Sequence, residues 1–400
     1  MKFAHMADCH IGGWREPVLS QATVDAFSKA IEICMDRNVD FILISGDLFN
    51  TSLPAIDKLK KVAETFKHLK DAGIPVYVIA GSHDFSPSGK TMIDVLEKAG
   101  LVVNVVKGHV DDKNILHLKF TVDKKTGAKI TGMLGKRGML ERKYYENLSR
   151  EELEKEPGYK IFMFHTALSE FKPEGMEKMD SAPLSLLPKN FNYYAGGHVH
   201  FVFKGNEKGY KNVVYPGPLF PNNFKEMEKL GLGGFYIVEN ENIERVPVKI
   251  YDVQRVVIDC ENMTPVNASA ELIKEIGRND FSNSIATIRL YGRLSEGKPS
   301  DIDFKSAVSR LMEKGAVAVL RNTNNLTSKQ FDAIRVSGSV EGVEEKLLEE
   351  HASQLGIDKN KLKEIMHSFS IEKAEGEKTA DFEERLFENA YKLIIQKAYK

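Results

Sequence analysis

Phe41-Ile42-Leu43-Ile44-Ser45-Gly46-Asp47-Leu48-Phe49 is the stretch on which the fold turns. Its first five residues make an apolar run of strand length, bounded by Gly46, and read as a strand buried on both faces. Gly46 lets the backbone approach a ligand closely, and Asp47 stands at the strand's end with two oxygens able to bridge two cations.

The same arrangement recurs on both sides. The run 2–7 is followed by Asp8-Cys9-His10, and 76–80 by Gly81-Ser82-His83-Asp84. Further on, 161–165 ends on His165, and 193–196 leads into Gly197-His198-Val199-His200. Alternation in an extended segment would send Asp8 and His10 to one side and Cys9 to the other. Between the early strands, Val24, Phe27, Ala30, Ile31 and Cys34 recur at helical spacing, as do Ile56, Leu59, Ala63, Phe66 and Leu69 of a helix over 55–71. Strand, helix and strand at this spacing predict parallel pairing, which would bring the strand ends to one edge of a sheet.

From 115 to 250 the strands come faster: 115–120, 129–134, 213–215, 235–238 and 246–250 join those already named. They would complete the first sheet and add a second against it, an α/β fold in the form of a four-layer αββα sandwich. After 250, strands 255–258, 285–290 and 316–320 with helices near 270–276 and 304–314 predict a smaller α+β module, whose exit is the polar stretch 321–327. Helical, charged segments 340–355 and 361–366 follow, then a polar linker, 372–379. Phe382, Leu386, Phe387, Ala390, Leu393, Ile394 and Ala398 mark one apolar face of a closing helix. That helix either folds back on its own domain or docks on a partner, and the polarity of the linker favours docking. The expected division is 1–250, 251–326 and 327–400.

Charge is nearly balanced, with 56 Lys and Arg against 57 Asp and Glu, so contact with nucleic acid would need a local basic patch. Lys136-Arg137, Arg142-Lys143, Lys204, Arg289 and Arg293 are candidates, with a solvated surface as the alternative for each. Three scattered cysteines make no disulfide framework. No stretch approaches the ~20 apolar residues needed to cross a bilayer. A cytoplasmic, nucleoid-associated chain without a membrane partner is the expectation. Ser88-Gly89-Lys90-Thr91 resembles the end of a phosphate-binding loop but lacks the leading glycine, and Gly231-Leu232-Gly233-Gly234 reads as a turn.

Five of the eleven histidines fall in the strand-end motifs. Mixed Asp and His donors suit Mn²⁺ or Fe²⁺ better than Mg²⁺. A cation pair would bind a phosphodiester and activate a water, and His83, beside the donors, is the candidate general acid, with Asp84 expected to hold its tautomer.

The series D-x-H, GD, GSHD, H and GGHxH resembles the calcineurin-like metallophosphoesterases. Within them GDLF, AGSHD and Tyr215-Pro216-Gly217 resemble the double-strand-break repair nucleases of the Mre-eleven and SbcD family, over residues 1 to about 250. The resemblance implies a Mn²⁺-dependent 3′–5′ exonuclease and single-strand endonuclease on DNA, with two Mn²⁺ (Mg²⁺ or Fe²⁺ as substitutes). It also implies a homodimer, a DNA-contacting capping domain, and an SMC-like ATPase of the Rad-fifty and SbcC kind bound by the C-terminal helical region. By position, Asp8, His10, Asp47 and His200 would hold the first metal. Asp47, Ser82, His165 and His198 would hold the second, with His83 as acid. The sequence departs from the family at two places: Ser82 stands where asparagine is usual, and Asn50 where some relatives carry histidine. The competing expectations are a small-molecule phosphodiesterase of the same fold and a scaffold with a weakened site.

Overall fold

The computed structural model describes residues 1–86, 91–136, 138, 140–174, 176 and 178–329, and beyond them 352, 358, 360, 361, 363, 364, 382–388 and 391. The chain forms two compact units, 1–328 and 329–400.

Strands β1 (Lys2–Met6), β2 (Phe41–Ser45), β3 (Val76–Ile79) and β4 (Val103–Asn104) alternate with helices α1 (Pro17–Asp36), α2 (Ile56–Asp71) and α3 (Met92–Lys98). Next come β5 (Gly108–Val110), β6 (Leu116–Leu118), β7 (Thr121–Val122), β8 (Lys129–Gly132), α4 (Arg142–Glu146), α5 (Glu151–Lys155) and β9 (Lys160–His165). They lead into β10 (Tyr193–Gly197), β11 (Phe203–Glu207), β12 (Tyr210–Tyr215), α6 (Phe224–Leu230), β13 (Gly233–Glu239) and β14 (Asn242–Val248). Unit 1 closes with β15 (Asp252–Asp259), α7 (Pro265–Arg278), β16 (Ser284–Leu294), α8 (Phe304–Glu313) and β17 (Ala316–Ser328).

Two six-stranded sheets, in the orders β14-β13-β1-β2-β3-β4 and β11-β12-β10-β9-β8-β7, lie face to face. Phe3, Phe41, Leu43 and Ile79 of one and Ile161, Met163, Tyr193 and Val214 of the other fill the space between them. The outer face of the first sheet packs on α1 and α2, which cover Met6, Ile42, Ile44 and Val78 with Phe27, Val62 and Phe66. The outer face of the second is covered by Tyr145, Leu148, Leu153, Leu184 and Leu187. This is the expected αββα layering. β1, β2 and β3 pair in parallel, as do β9 and β10, so the ends that carry the Asp and His residues share one edge.

Three sequence expectations shift, and Thr91, already set aside as part of a phosphate-binding loop, takes a structural place. Residues 115–120 do not extend the first sheet; β6 pairs with β5 in a separate ribbon, and β5 is exposed throughout, with no apolar face to add to a core. Gly231 caps α6 while Gly233 and Gly234 begin β13, so the glycine cluster is the entry to a strand. Thr91 is the N-cap of α3, in a capping box with Asp94, and residues 88–90 lie outside the described residues. Finally, the polar 321–327 is strand. It runs beside β16, an 11-residue strand whose ladder satisfies its backbone out to Ser328, and only Leu326 and Ser328 of that end are buried.

β15, β16 and β17 form a parallel three-stranded sheet, with Val256, Ile258, Ile288 and Leu290 packed against Leu272, Ile276 and Leu311 of α7 and α8. In unit 2, residues 382–388 are helical and Phe387 is exposed. Ala390, Leu393, Ile394 and Ala398, the linker 372–379 and most of 340–355 lie outside the described residues.

Candidate metal centre

Asp8 and His10 reach the site by a route other than strand alternation. β1 stops at Met6, and both residues take left-handed backbone, φ 50° and 42°. Asp47 (φ 51°) and His198 (φ 87°) do the same at the ends of β2 and β10. Left-handed backbone is uncommon for residues with a Cβ, and four cases in one pocket mark a strained, over-determined site. The glycines between them carry the close approaches. A Cβ on Gly46 would lie 2.2 Å from His165 Nδ1, and one on Gly197 would lie 2.0 Å from the Ser45 carbonyl oxygen.

The donors converge around Asp47. His165 Nε2 lies 3.2 Å and His10 Nε2 3.7 Å from Asp47 Oδ2. Ser82 Oγ donates to the same oxygen at 3.4 Å, and the His83 amide donates to Oδ1 at 2.7 Å. On the other side, His10 Nε2 and His200 Nε2 stand 3.0 Å apart, and His200 Nε2 is 3.9 Å from Asp8 Oδ1. The His198 amide donates to Asp8 Oδ1 at 2.9 Å, and the His198 ring centroid is 5.2 Å from that of His165. Among the described residues, three sets place their donors within 4.8 Å of one another: Asp8, His10 and His200; His10, Asp47 and His83; and Asp8, Asp47 and His165.

This donor set fits divalent cations. Asp8 Oδ2 and His165 Nε2 are buried within the cluster and have no hydrogen-bond partner of good geometry among the described residues, a costly arrangement for polar atoms unless an ion completes it. Burial pushes the Asp8 carboxyl up to about 6 and holds the His10 and His198 imidazoles down at about 3 and 4. Against the same burial, Asp47 draws the His165 imidazole up to about 10, while Glu226 and Asp8 draw His200 up to about 9. Asp47 is itself held below the carboxylate range, its burial outweighed by His165 and His10. Such a pocket combines buried carboxylates short of positive charge with neutral imidazoles that carry a lone pair, the donor pattern a bound cation satisfies.

One expectation about the acid needs correction. Asp84 does not hold the His83 ring. Its carboxylate accepts the amides of Gly81, Leu48 and Phe49 at 3.0, 3.2 and 3.0 Å, and pins the loops after β3 and β2 together. The ring instead has Nδ1 2.8 Å from the carbonyl oxygen of Asn50, a backbone partner no side-chain pattern could have named. Glu226 of α6 also went unseen. Its Oε1 lies 2.8 Å from His200 Nδ1, and the only sequence sign was an Asn223-x-x-Glu226 helix start.

The basic candidates fare unequally. Arg289 forks onto Glu228, and Arg142 pairs with Glu146. Lys204 donates to the Ile243 carbonyl oxygen, and Lys143 is exposed on α4. Lys136 lies over the Phe85 and Tyr144 rings and donates to the Tyr144 hydroxyl. The Arg293 amide donates to Glu261, and Arg137 lies outside the described residues. His5, outside the strand-end motifs, is buried between Tyr193 Oη and Ser45 Oγ, and all three cysteines are buried thiols. No helix among the described residues is long and apolar enough to cross a membrane.

Comparison with known proteins gives a consistent picture. Residues 1–202 match the calcineurin-like phosphoesterase family. The DNA double-strand break repair protein Mre11 of Archaeoglobus fulgidus is 26% identical over 300 residues, 70% of this chain and just under two thirds (66%) of that protein. The Mre11 of Methanococcus maripaludis is 26% identical over 74% of this chain and 84% of its own length. That of Methanocaldococcus jannaschii is 25% identical over 90% and 92%.

Proposed function

The chain belongs to the calcineurin-like phosphoesterase family, and on that footing we propose that it is a Mn²⁺-dependent nuclease that trims DNA ends in double-strand-break repair. The observation that carries the reading is the convergence of Asp and His side chains from five strand ends on one buried carboxylate, Asp47, in a chain similar along most of its length to repair proteins. Asp8, His10, Asp47 and His200 would hold one cation, and Asp47, Ser82, His165 and His198 the other. Bound there, the pair supplies an activated water and neutralises charge on a phosphodiester.

The chain's own groups do the rest. Asp47, with Gly81 pressed on it and Gly46 on His165, stands between the two sets of donors. The His165 Nδ1–H donates to the Ser45 carbonyl oxygen at 2.8 Å and turns Nε2 toward Asp47. The His83 Nδ1–H donates to the Asn50 carbonyl oxygen, so the ring's second proton, carried on Nε2 in the imidazolium form, is the one it would give to the departing 3′ or 5′ oxygen, leaving a neutral ring still held at Nδ1. Ser82 reaches Asp47 directly, which suits a hydroxyl that supports the bridging carboxylate. The helical region after 328 would dock an SMC-like ATPase, and the three-stranded module would cap the DNA path.

The test is a substrate panel in Mn²⁺: single-stranded DNA, duplex DNA with recessed ends, and a chromogenic phosphodiester. The expected outcome is cutting of DNA, with His83→Ala keeping metal binding but losing about 10²- to 10⁴-fold in rate. Turnover of the small ester with DNA left intact would transfer the reading to a small-molecule phosphodiesterase. Failure on every substrate, with Ser82→Asn restoring activity by orders of magnitude, would identify a scaffold.

A further inference from the structure

We propose that Glu226 is a positioning residue for His200, and that α6 is the element through which the three-stranded module sets the geometry of that ligand. The inference rests on His200 being a metal ligand and not on DNA being the substrate.

The Glu226 carboxylate is held at both oxygens. Oε2 accepts the Asn222 amide at 2.8 Å, Oε1 lies 2.8 Å from His200 Nδ1, and the Asn223 carboxamide donates to Oε1. Asn223 Oδ1 in turn caps α6 by accepting the Glu226 amide at 3.0 Å. A carboxylate fixed in this way keeps the His200 proton on Nδ1 and presents Nε2 toward His10 and Asp8. Glu226 is 13% exposed at its side chain, so the pair is shielded well beyond a surface ion pair.

Two residues further along, the helix turns to its opposite face. Glu228 accepts Arg289 Nε at 2.9 Å and also pairs with its Nη2, and the guanidinium stacks 5.2 Å from the Phe224 ring. Arg289 belongs to β16, the central strand of the module, hydrogen-bonded to β15 and β17 on either side. A seven-residue helix is thereby clamped between a metal-centre histidine on one face and the middle of the module on the other. A shift of the module moves α6, and with it the only carboxylate that faces His200 Nδ1 among the described residues.

Calorimetric titration of Mn²⁺ into the metal-stripped full chain tests both halves. His200→Ala identifies the binding step that depends on this ligand. Glu226→Ala should weaken that same step by about 10- to 100-fold, and Glu226→Gln by less, since its single carboxamide oxygen serves His200 or Asn222 but not both. Arg289→Met should weaken it several-fold and add little on top of Glu226→Ala, and the exchange Arg289→Glu with Glu228→Arg should restore it. If His200→Ala leaves every step unchanged, the ligand assignment fails. If His200→Ala weakens a step that Glu226→Ala does not, the positioning role is overturned. If Arg289→Met is without effect or fully additive with Glu226→Ala, the relay through α6 is overturned. Melting curves show that each variant is folded, and any that is not is replaced by Glu226→Asp or Arg289→Lys.

Discussion

At the scale of single residues, the site is built against ordinary preference. Asp8, His10, Asp47 and His198 hold positive φ, each at about 1–3 kcal/mol relative to relaxed backbone. Strain of that size persists where the surroundings leave no alternative, and here Gly46, Gly81 and Gly197 let the neighbouring backbone close in to contact. His5 lies directly behind this layer, hydrogen-bonded to Tyr193 and Ser45, and burial holds its imidazole down at about 3. An unfolded histidine takes its proton near 6.5. Between those values the unfolded chain binds a proton that the folded chain excludes, so stability is complete above about 6.5 and falls as pH drops, by at most about 1.4 kcal/mol per unit. His5→Gln should therefore lose stability more gently than the unsubstituted protein between pH 6.5 and 5, measured as urea midpoints on metal-stripped samples. His10 and His198 act in the same direction but are common to both proteins. Parallel curves would show that His5 excludes no proton.

At the scale of elements, Asp84 governs two loops. Its three amide bonds tie the turn after β3 to the turn after β2, the turns that carry His83 and Asp47. Asparagine offers one acceptor oxygen and sets an NH₂ against amides that need acceptors. Asp84→Asn should cost about 1–3 kcal/mol and lower Mn²⁺-dependent hydrolysis at fixed metal, with the far-ultraviolet dichroism unchanged; a rate and melting temperature equal to the unsubstituted protein would remove Asp84 from the loop-holding role. This element also shows where sequence reading stops. The strands, their parallel order and the Asp and His at their ends were legible, because buried strands declare themselves in apolar runs and glycine breaks. What was not legible depends on partners distant in the chain. Glu226 is one acid among many until α6 folds beside His200. The acceptor for the His83 ring is a backbone carbonyl, which has no side-chain signature. Residues 321–327 look like a loop because their composition is polar, yet β16 satisfies their backbone along its length. Asp8-Cys9-His10 suggested alternation, and the left-handed backbone that aims both donors inward leaves no mark in the residue types.

At the scale of the molecule, 1–328 is a compact unit, and the described residues within it build four hydrophobic core clusters. All the site residues, the module and α6 lie inside it. A chain ending at Ser328 should thus fold cooperatively, melt within a few degrees of the full chain and hydrolyse a chromogenic phosphodiester within about twofold of it, since the described cores and the donor residues all lie within 1–328. The same chain should lose association with the proposed SMC-like ATPase, because the region assigned to docking, including the helical residues 382–388 with exposed Phe387, is gone. Co-sedimentation of each chain with the ATPase, run beside the hydrolysis assay, separates the possibilities. Retained binding by the shorter chain would move the docking surface onto unit 1. Lost hydrolysis would mean that residues after 328 support the site.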